Sequence, residues 1–161
     1  MIVRIKLYEA EIIADIPKST KLSKNFKLYE LANNAGSVKL PQYEINEGNF
    51  KFVQMLQRLR DSVNQPIKVN SGYRQAAYNS KIGGNAKSAH LHGWAADIKK
   101  IYGMSDERIA ATWRAICSIF GTIGAINLYD NYYHLEINSN ICYGASKFEI
   151  RDRRTNNERT D

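Results

Sequence analysis

The sequence predicts an α+β fold, one domain in which a small antiparallel sheet is flanked by helices. Three observations carry this. Stretches with the two-residue period of strands are interleaved with stretches of helical period, without the regular βα repeat of a doubly wound sheet. "KIGGNAKS" has neither the spacing nor the strand-to-helix placement of a phosphate-binding loop. A chain of 161 residues with 43% apolar content supplies one hydrophobic core and gives no sign of a second.

Each element has its own signal. Val3, Ile5 and Leu7 alternate with Arg4, Lys6 and Tyr8, so a strand with one buried face opens the chain. In "NFKFVQMLQRLRDSV" the spacing of Phe52, Leu56, Leu59 and Val63 predicts an amphipathic helix behind an Asn49 cap. After Pro66, "IKVNSGYR" reads as a short strand ending in a turn, and "RQAAYNSKIGG" as a short helix closed by Gly83 and Gly84. "WAADIK" is a strand.

The clearest helix is "SDERIAATWRAICSIFG". Ser105 is its cap, acids fill its first turn, Ile109, Trp113, Ile116 and Phe120 form its apolar stripe, and Gly121 ends it. "TIGAINLYDNYYHLEIN" predicts two strands about a turn near Asp130 and Asn131. Residues 1–150 are expected to form the domain, and "RDRRTNNERTD", 151–161, a charged, disordered tail with nothing to bury.

Composition narrows the function. No run of 18 apolar residues occurs, and Arg4, Lys6, Glu9, Glu11 and Asp15 interrupt any apolar signal core at the start. The expectation is a monomer, neither membrane-spanning nor visibly exported. Cys117 and Cys142 are too few and too far apart for a disulfide framework or a thiolate zinc site, and read as buried thiols. The net charge of +7 favours an anionic partner such as nucleic acid, a membrane surface or a cell-wall polymer. No helix-turn-helix, RNA-binding sheet motif or zinc finger supports the first of these.

The chemistry concentrates in "SAHLHGWAAD" and "YYHLEI". Zinc prefers imidazole nitrogen and carboxylate oxygen, and a catalytic site commonly has three protein ligands. The three histidines are His90, His92 and His134. They allow a His-plus-carboxylate set from two distant segments, although ordinary polar residues at strand ends fit the spacing as well. Gly93 permits a sharp turn that would fold His90 back toward Asp97, a carboxylate that is costly in an apolar strand unless paired or metal-bound. His92, next to the turn, is expected to point elsewhere.

"SGYRQAAYNSKIGGNAKSAHLHGWAADI" resembles the signature of the zinc D-Ala-D-Ala carboxypeptidase family (peptidase M15, which includes phage cell-wall endolysins). That signature runs S-G-Y-R, then N, G-G, and S-x-H-x-x-G-x-A-x-D. Ser71, Gly72, Tyr73, Arg74, Asn79, Gly83, Gly84, Ser88, His90, Gly93, Ala95 and Asp97 stand in register with it. "LSKNFKLYELA" and "YDNYYHLEI" extend the resemblance over roughly residues 20 to 140.

The resemblance implies a hedgehog/DD-peptidase-like fold and a zinc ion held by His90, Asp97 and His134. It implies Arg74 as the cation facing substrate and Ser88 as a supporting group near the site. The implied activity is hydrolysis of an amide in the peptide stem of peptidoglycan, by a protein made in the cytoplasm that acts at the wall after lysis or from a phage particle. A zinc-retaining binding or signalling protein of the same fold is the alternative.

The sequence departs from the family at the proton acceptor. Some relatives have a glutamate three residues before the last histidine, where Asn131 stands here, and others a histidine where Tyr132 stands. The family's Asp two residues after the last ligand is Glu136. Glu136 is therefore the expected base, with Asp130 and a zinc hydroxide assisted by another group as the alternatives. Glu136 shares the face of His134 in a strand, at a separation that suits either a base or a carboxylate orienting the histidine, whereas Asp130 sits where turn-forming aspartates are common.

Overall fold

The N-terminal strand is one half of a hairpin. β1 (Ile2–Leu7) reverses at Tyr8 and Glu9 and returns as β2 (Ala10–Asp15), with Tyr8 at a positive φ of 54°. β1 also pairs in parallel with β3 (Tyr43–Ile45), giving a three-stranded sheet of order β2-β1-β3. Between these strands lies α1 (Leu28–Leu31), which buries Leu28 and Leu31. The computed structural model describes residues 1–32 and 41–155.

The second sheet carries the rest of the fold. Its order is β4-β5-β7-β6-β8, built from β4 (Val69–Ser71), β5 (Ala95–Lys99), β6 (Ala125–Leu128), β7 (Tyr132–Glu136) and β8 (Glu149–Asp152). The α+β class therefore holds, but two sheets replace the expected single one. Each contains one parallel pairing, β1 with β3 and β6 with β8.

Successive side chains on a strand point to opposite faces, so the larger sheet has a dry side and a wet side. Ala96 and Ile98 of β5, Tyr133 and Leu135 of β7, and Ile126 and Leu128 of β6 fill the dry side. They join one core cluster with Phe52 and Leu56 of α2 (Glu47–Val63) and Ile109 and Trp113 of α4 (Asp106–Ile119). Phe52 meets Trp113 edge-on at 6.0 Å between ring centroids. Trp113 also donates from Nε1 to the carbonyl of Glu136 at 3.4 Å, tying the helix to the end of β7.

Local chemistry sets the helix ends. Asn46, not Asn49, caps α2. Asn49 lies inside the first turn and closes a reciprocal box in which the Asn49 amide donates to Asn46 Oδ1 (2.9 Å) and the Asn46 amide to Asn49 Oδ1 (2.8 Å). The expected Ser105 cap of α4 is present, its Oγ accepting from the Arg108 amide at 3.2 Å. α3 (Ala76–Lys81) is followed by Gly83 at φ 72°.

The C-terminal expectation changes. Arg151 and Asp152 complete β8 instead of beginning a tail, and Arg154 reaches Asp106 at 3.0 Å while Thr155 bonds Asp130. Paired charges, not apolar burial, hold this stretch. The remainder of the expected tail, 156–161, lies outside the described residues. Cys117 and Cys142 are buried free thiols, pushed by burial up to about 12 and about 11. Among the described residues no helix is long and apolar enough to cross a membrane.

Candidate metal centre

The wet face of the larger sheet carries a polar row. Strand register sets Ser71 beside Asp97, Asp97 beside His134, His134 beside Asn127 and Asn127 beside Arg151, so one line of side chains crosses all five strands. His90 arrives from outside the sheet. It lies in a 3-10 turn, Ala89–His92, capped by Ser88, whose Oγ accepts from the His90 amide at 3.3 Å. Gly93 ends the turn at φ 68°, and the Trp94 amide bonds back to the Ala89 carbonyl at 3.0 Å. That reversal leads straight into β5 and folds His90 over Asp97. A side chain at Gly93 would be strained in φ and would crowd Asn49 of α2.

Three donor atoms converge there. His134 Nδ1 lies 2.8 Å from Asp97 Oδ1, His90 Nε2 lies 3.3 Å from the same oxygen, and the two ring nitrogens are 3.2 Å apart. Donors around one tetrahedral zinc at about 2.0–2.1 Å stand roughly 3.3–3.4 Å from each other. The observed triangle fits such an ion after shifts of a few tenths of an ångström. The other ring nitrogens are also taken: His90 Nδ1 donates to the Gly72 carbonyl at 2.7 Å, and His134 Nε2 to Glu136 Oε2 at 2.8 Å. Imidazoles with one nitrogen fixed by an oxygen acceptor are poised to present the other to a metal.

Electrostatics favour the same arrangement. Burial opposes charge on Asp97, but hydrogen bonds from His134 and His90 outweigh it and hold the carboxyl well below its usual range. Burial also lowers His134, yet its bonds to Asp97 and Glu136 win and raise it to about 9 in the metal-free protein. His90 is lowered, chiefly by burial, and so stays neutral. Glu136, only 1% exposed, is kept ionised against burial by His134, Ser139 and Arg151.

The remaining expected residues fall as follows. Arg74 spends Nη2 on Asp97 Oδ2 at 2.7 Å and Nε on Ser71 at 2.9 Å, so it clamps a member of the donor set while lining the cleft. Ser88 lines the same cleft. His92 points away, exposed and stacked on Trp94 at 4.5 Å.

The two carboxylates considered as bases both have partners within the chain. Glu136 sits behind His134, on the ring nitrogen opposite Asp97, with its oxygens committed to His134, Ser139 and Arg151. Asp130 is exposed at the β6–β7 turn and binds the amide and hydroxyl of Thr155. Of the two geometries open to Glu136, the structure realises the one that orients the histidine.

The donors lie on a cleft of about 520 Å³ between the sheet, the His90 turn and β8. Tyr129 and Tyr132, stacked at 4.3 Å, line it, as do Asn127, Glu149 and Arg151. The last three went unnoticed in the sequence. "KFEIRD" does carry the signal, since Phe148 and Ile150 alternate with Glu149 and Arg151, but the neighbouring charges masked it.

Fold and donor set together define a small α+β protein with a candidate metal centre of two histidines and one carboxylate at the base of a cleft. The chain belongs to the peptidase M15 family, whose model matches residues 23–136. It is also similar to a zinc D-Ala-D-Ala carboxypeptidase from Streptomyces albus G, with 43% identity over 44 residues. That stretch is 27% of this chain and spans 17% of the length of the relative.

Proposed function

We propose that the protein is a zinc-dependent peptidase that hydrolyses an amide bond in the peptide stem of peptidoglycan. The bond is a terminal D-Ala-D-Ala, or an internal one of the L-Ala-D-Glu type, as in endolysins. The observation that carries this reading is the approach of His90 Nε2, Asp97 Oδ1 and His134 Nδ1 to within 3.3 Å of one another at the cleft. Family membership and the matched carboxypeptidase segment support the choice of metal and substrate.

Zinc bound there would polarise the scissile carbonyl and make water a nucleophile near neutral pH. The chain's own residues supply the rest. The Gly72 carbonyl and the Glu136 carboxylate hold the two imidazoles so that His90 Nε2 and His134 Nδ1 face inward. Arg74 keeps the second oxygen of Asp97 occupied and brings a fixed positive charge to the cleft, suited to a substrate carboxylate or a developing oxyanion. The Tyr129 and Tyr132 rings offer an apolar edge along which a peptide can lie. The +7 charge favours approach to an anionic wall.

A second reading, a protein that binds zinc and wall without turnover, is favoured by one observation: both carboxylates considered as the proton acceptor are engaged elsewhere. Mass spectrometry of muropeptides after incubation with zinc-loaded protein separates the two. Hydrolysis shortens or splits the stem and identifies the bond. Unchanged muropeptides in the presence of fully zinc-loaded protein count against hydrolysis and leave the second reading.

A further inference from the structure

The family match ends at Glu136, yet the carboxylate of that residue is held from beyond it. Ser139 Oγ donates to Glu136 Oε1 at 2.8 Å, and Arg151 Nη1 reaches the same oxygen at 3.1 Å. This leaves Oε2 for His134 Nε2. Arg151 is itself restrained on three sides. Glu149 takes its Nε at 2.7 Å and its Nη2 at 2.6 Å, Asn127 Oδ1 lies 3.3 Å from Nη1, and the guanidinium lies over the Tyr143 ring at 5.6 Å. A continuous chain, Glu149–Arg151–Glu136–His134, thus runs from the edge strand to the donor set.

The physical consequence lies in the orientation of one ring. A carboxylate that is 1% exposed is expensive to keep charged without a cation. A guanidinium bonded to one of its oxygens both offsets that cost and fixes which oxygen faces the histidine. With Oε2 so aimed, His134 Nε2 is held to Glu136 and Nδ1 is turned to Asp97 and His90.

We propose that Arg151 is a positioning residue for the His134 imidazole, acting through Glu136, so that β8 supports a donor set that lies within the family match. The proposal rests on the zinc reading for its consequence on metal affinity, but not for its consequence on the ring.

Two measurements test it on the full chain. The first is zinc affinity by competition with a chromogenic chelator for wild type, Arg151→Gln, Arg151→Lys and Arg154→Gln. The last loosens β8 from Asp106 without touching Glu136. Loss of an outer partner of a metal-ligating histidine costs roughly 10–100-fold in affinity, which is the loss expected for Arg151→Gln. Arg151→Lys should recover part of it, and Arg154→Gln should stay near wild type. The second is the proton resonance of His134 Nε2–H in metal-free protein, which should be protected in wild type and Arg154→Gln and exchange-broadened in Arg151→Gln.

Unchanged affinity and an unchanged resonance in Arg151→Gln overturn the proposal. Equal losses in Arg154→Gln also overturn it, because they assign the effect to strand docking. If wild type itself binds no zinc, the zinc reading fails, and the resonance alone decides the role of Arg151.

Discussion

His134 faces Asp97 directly across the β5–β7 pairing and turns Nδ1 toward its Oδ1 at 2.8 Å. The contact is an ion pair when the ring is protonated, and the same two atoms would be ligands if a metal replaced the proton.

This geometry predicts one zinc per chain and the loss of most of it when His90, Asp97 or His134 is replaced by alanine. His92→Ala should keep its metal, since that ring stacks on Trp94 outside the site. Elemental analysis of the four purified variants checks the assignment. Normal zinc in His134→Ala would break it.

Zinc binding should also release a proton. In metal-free protein the His134 pKa of about 9 means that the ring is mostly protonated at pH 7, and Nδ1 must lose its proton to coordinate. Affinity should therefore rise with pH and level off above about 9. Calorimetry at pH 7 in two buffers of different ionisation enthalpy measures the release, expected to be close to one proton per zinc.

Glu136→Gln distinguishes an orienting carboxylate from a base. The amide keeps the shape but loses the charge that faces His134 and Arg151. Zinc affinity should fall by roughly 10–100-fold, and activity should recover in part at saturating zinc. Full zinc affinity with turnover reduced on the order of 10²-fold would return the residue to the role of base.

How much of this was legible in the sequence depended on the range of the information. α4 was readable because cap, stripe and terminator are local, and Ser105 does cap it. The α2 cap was misplaced because Asn46 and Asn49 bond reciprocally, and only geometry shows which lies outside the helix. The juxtaposition of His90, Asp97 and His134 followed from motif register. β8 was missed because what orders "RDRR" lies far away in the chain: Glu136 for Arg151 and Asp106 for Arg154. Glu136 was placed on the correct face of β7, but strand alternation does not reveal which side of the His134 ring it meets.

Asp106 offers a test of the fold apart from the site. Burial acts to raise its pKa, but hydrogen bonds from Lys100 (2.7 Å) and Tyr133 (2.6 Å), with Arg154 nearby, outweigh it and lower the carboxyl. A lowered folded pKa gives stability that is present above the unfolded value, about 3.9, and lost as pH falls through the folded value. Urea denaturation should show wild type more stable than Asp106→Asn at pH 6–7, with the gap closing as pH drops below about 4. A gap independent of pH would mean that charge on Asp106 contributes nothing.

The central claim is that His90, Asp97 and His134 hold zinc, and X-ray absorption at the zinc edge of the loaded protein tests it most directly. Two imidazole ligands and an oxygen-containing remainder are expected in a four-coordinate shell at about 2.0–2.1 Å. A shell containing sulfur at about 2.3 Å, or one made of oxygen alone, would contradict it.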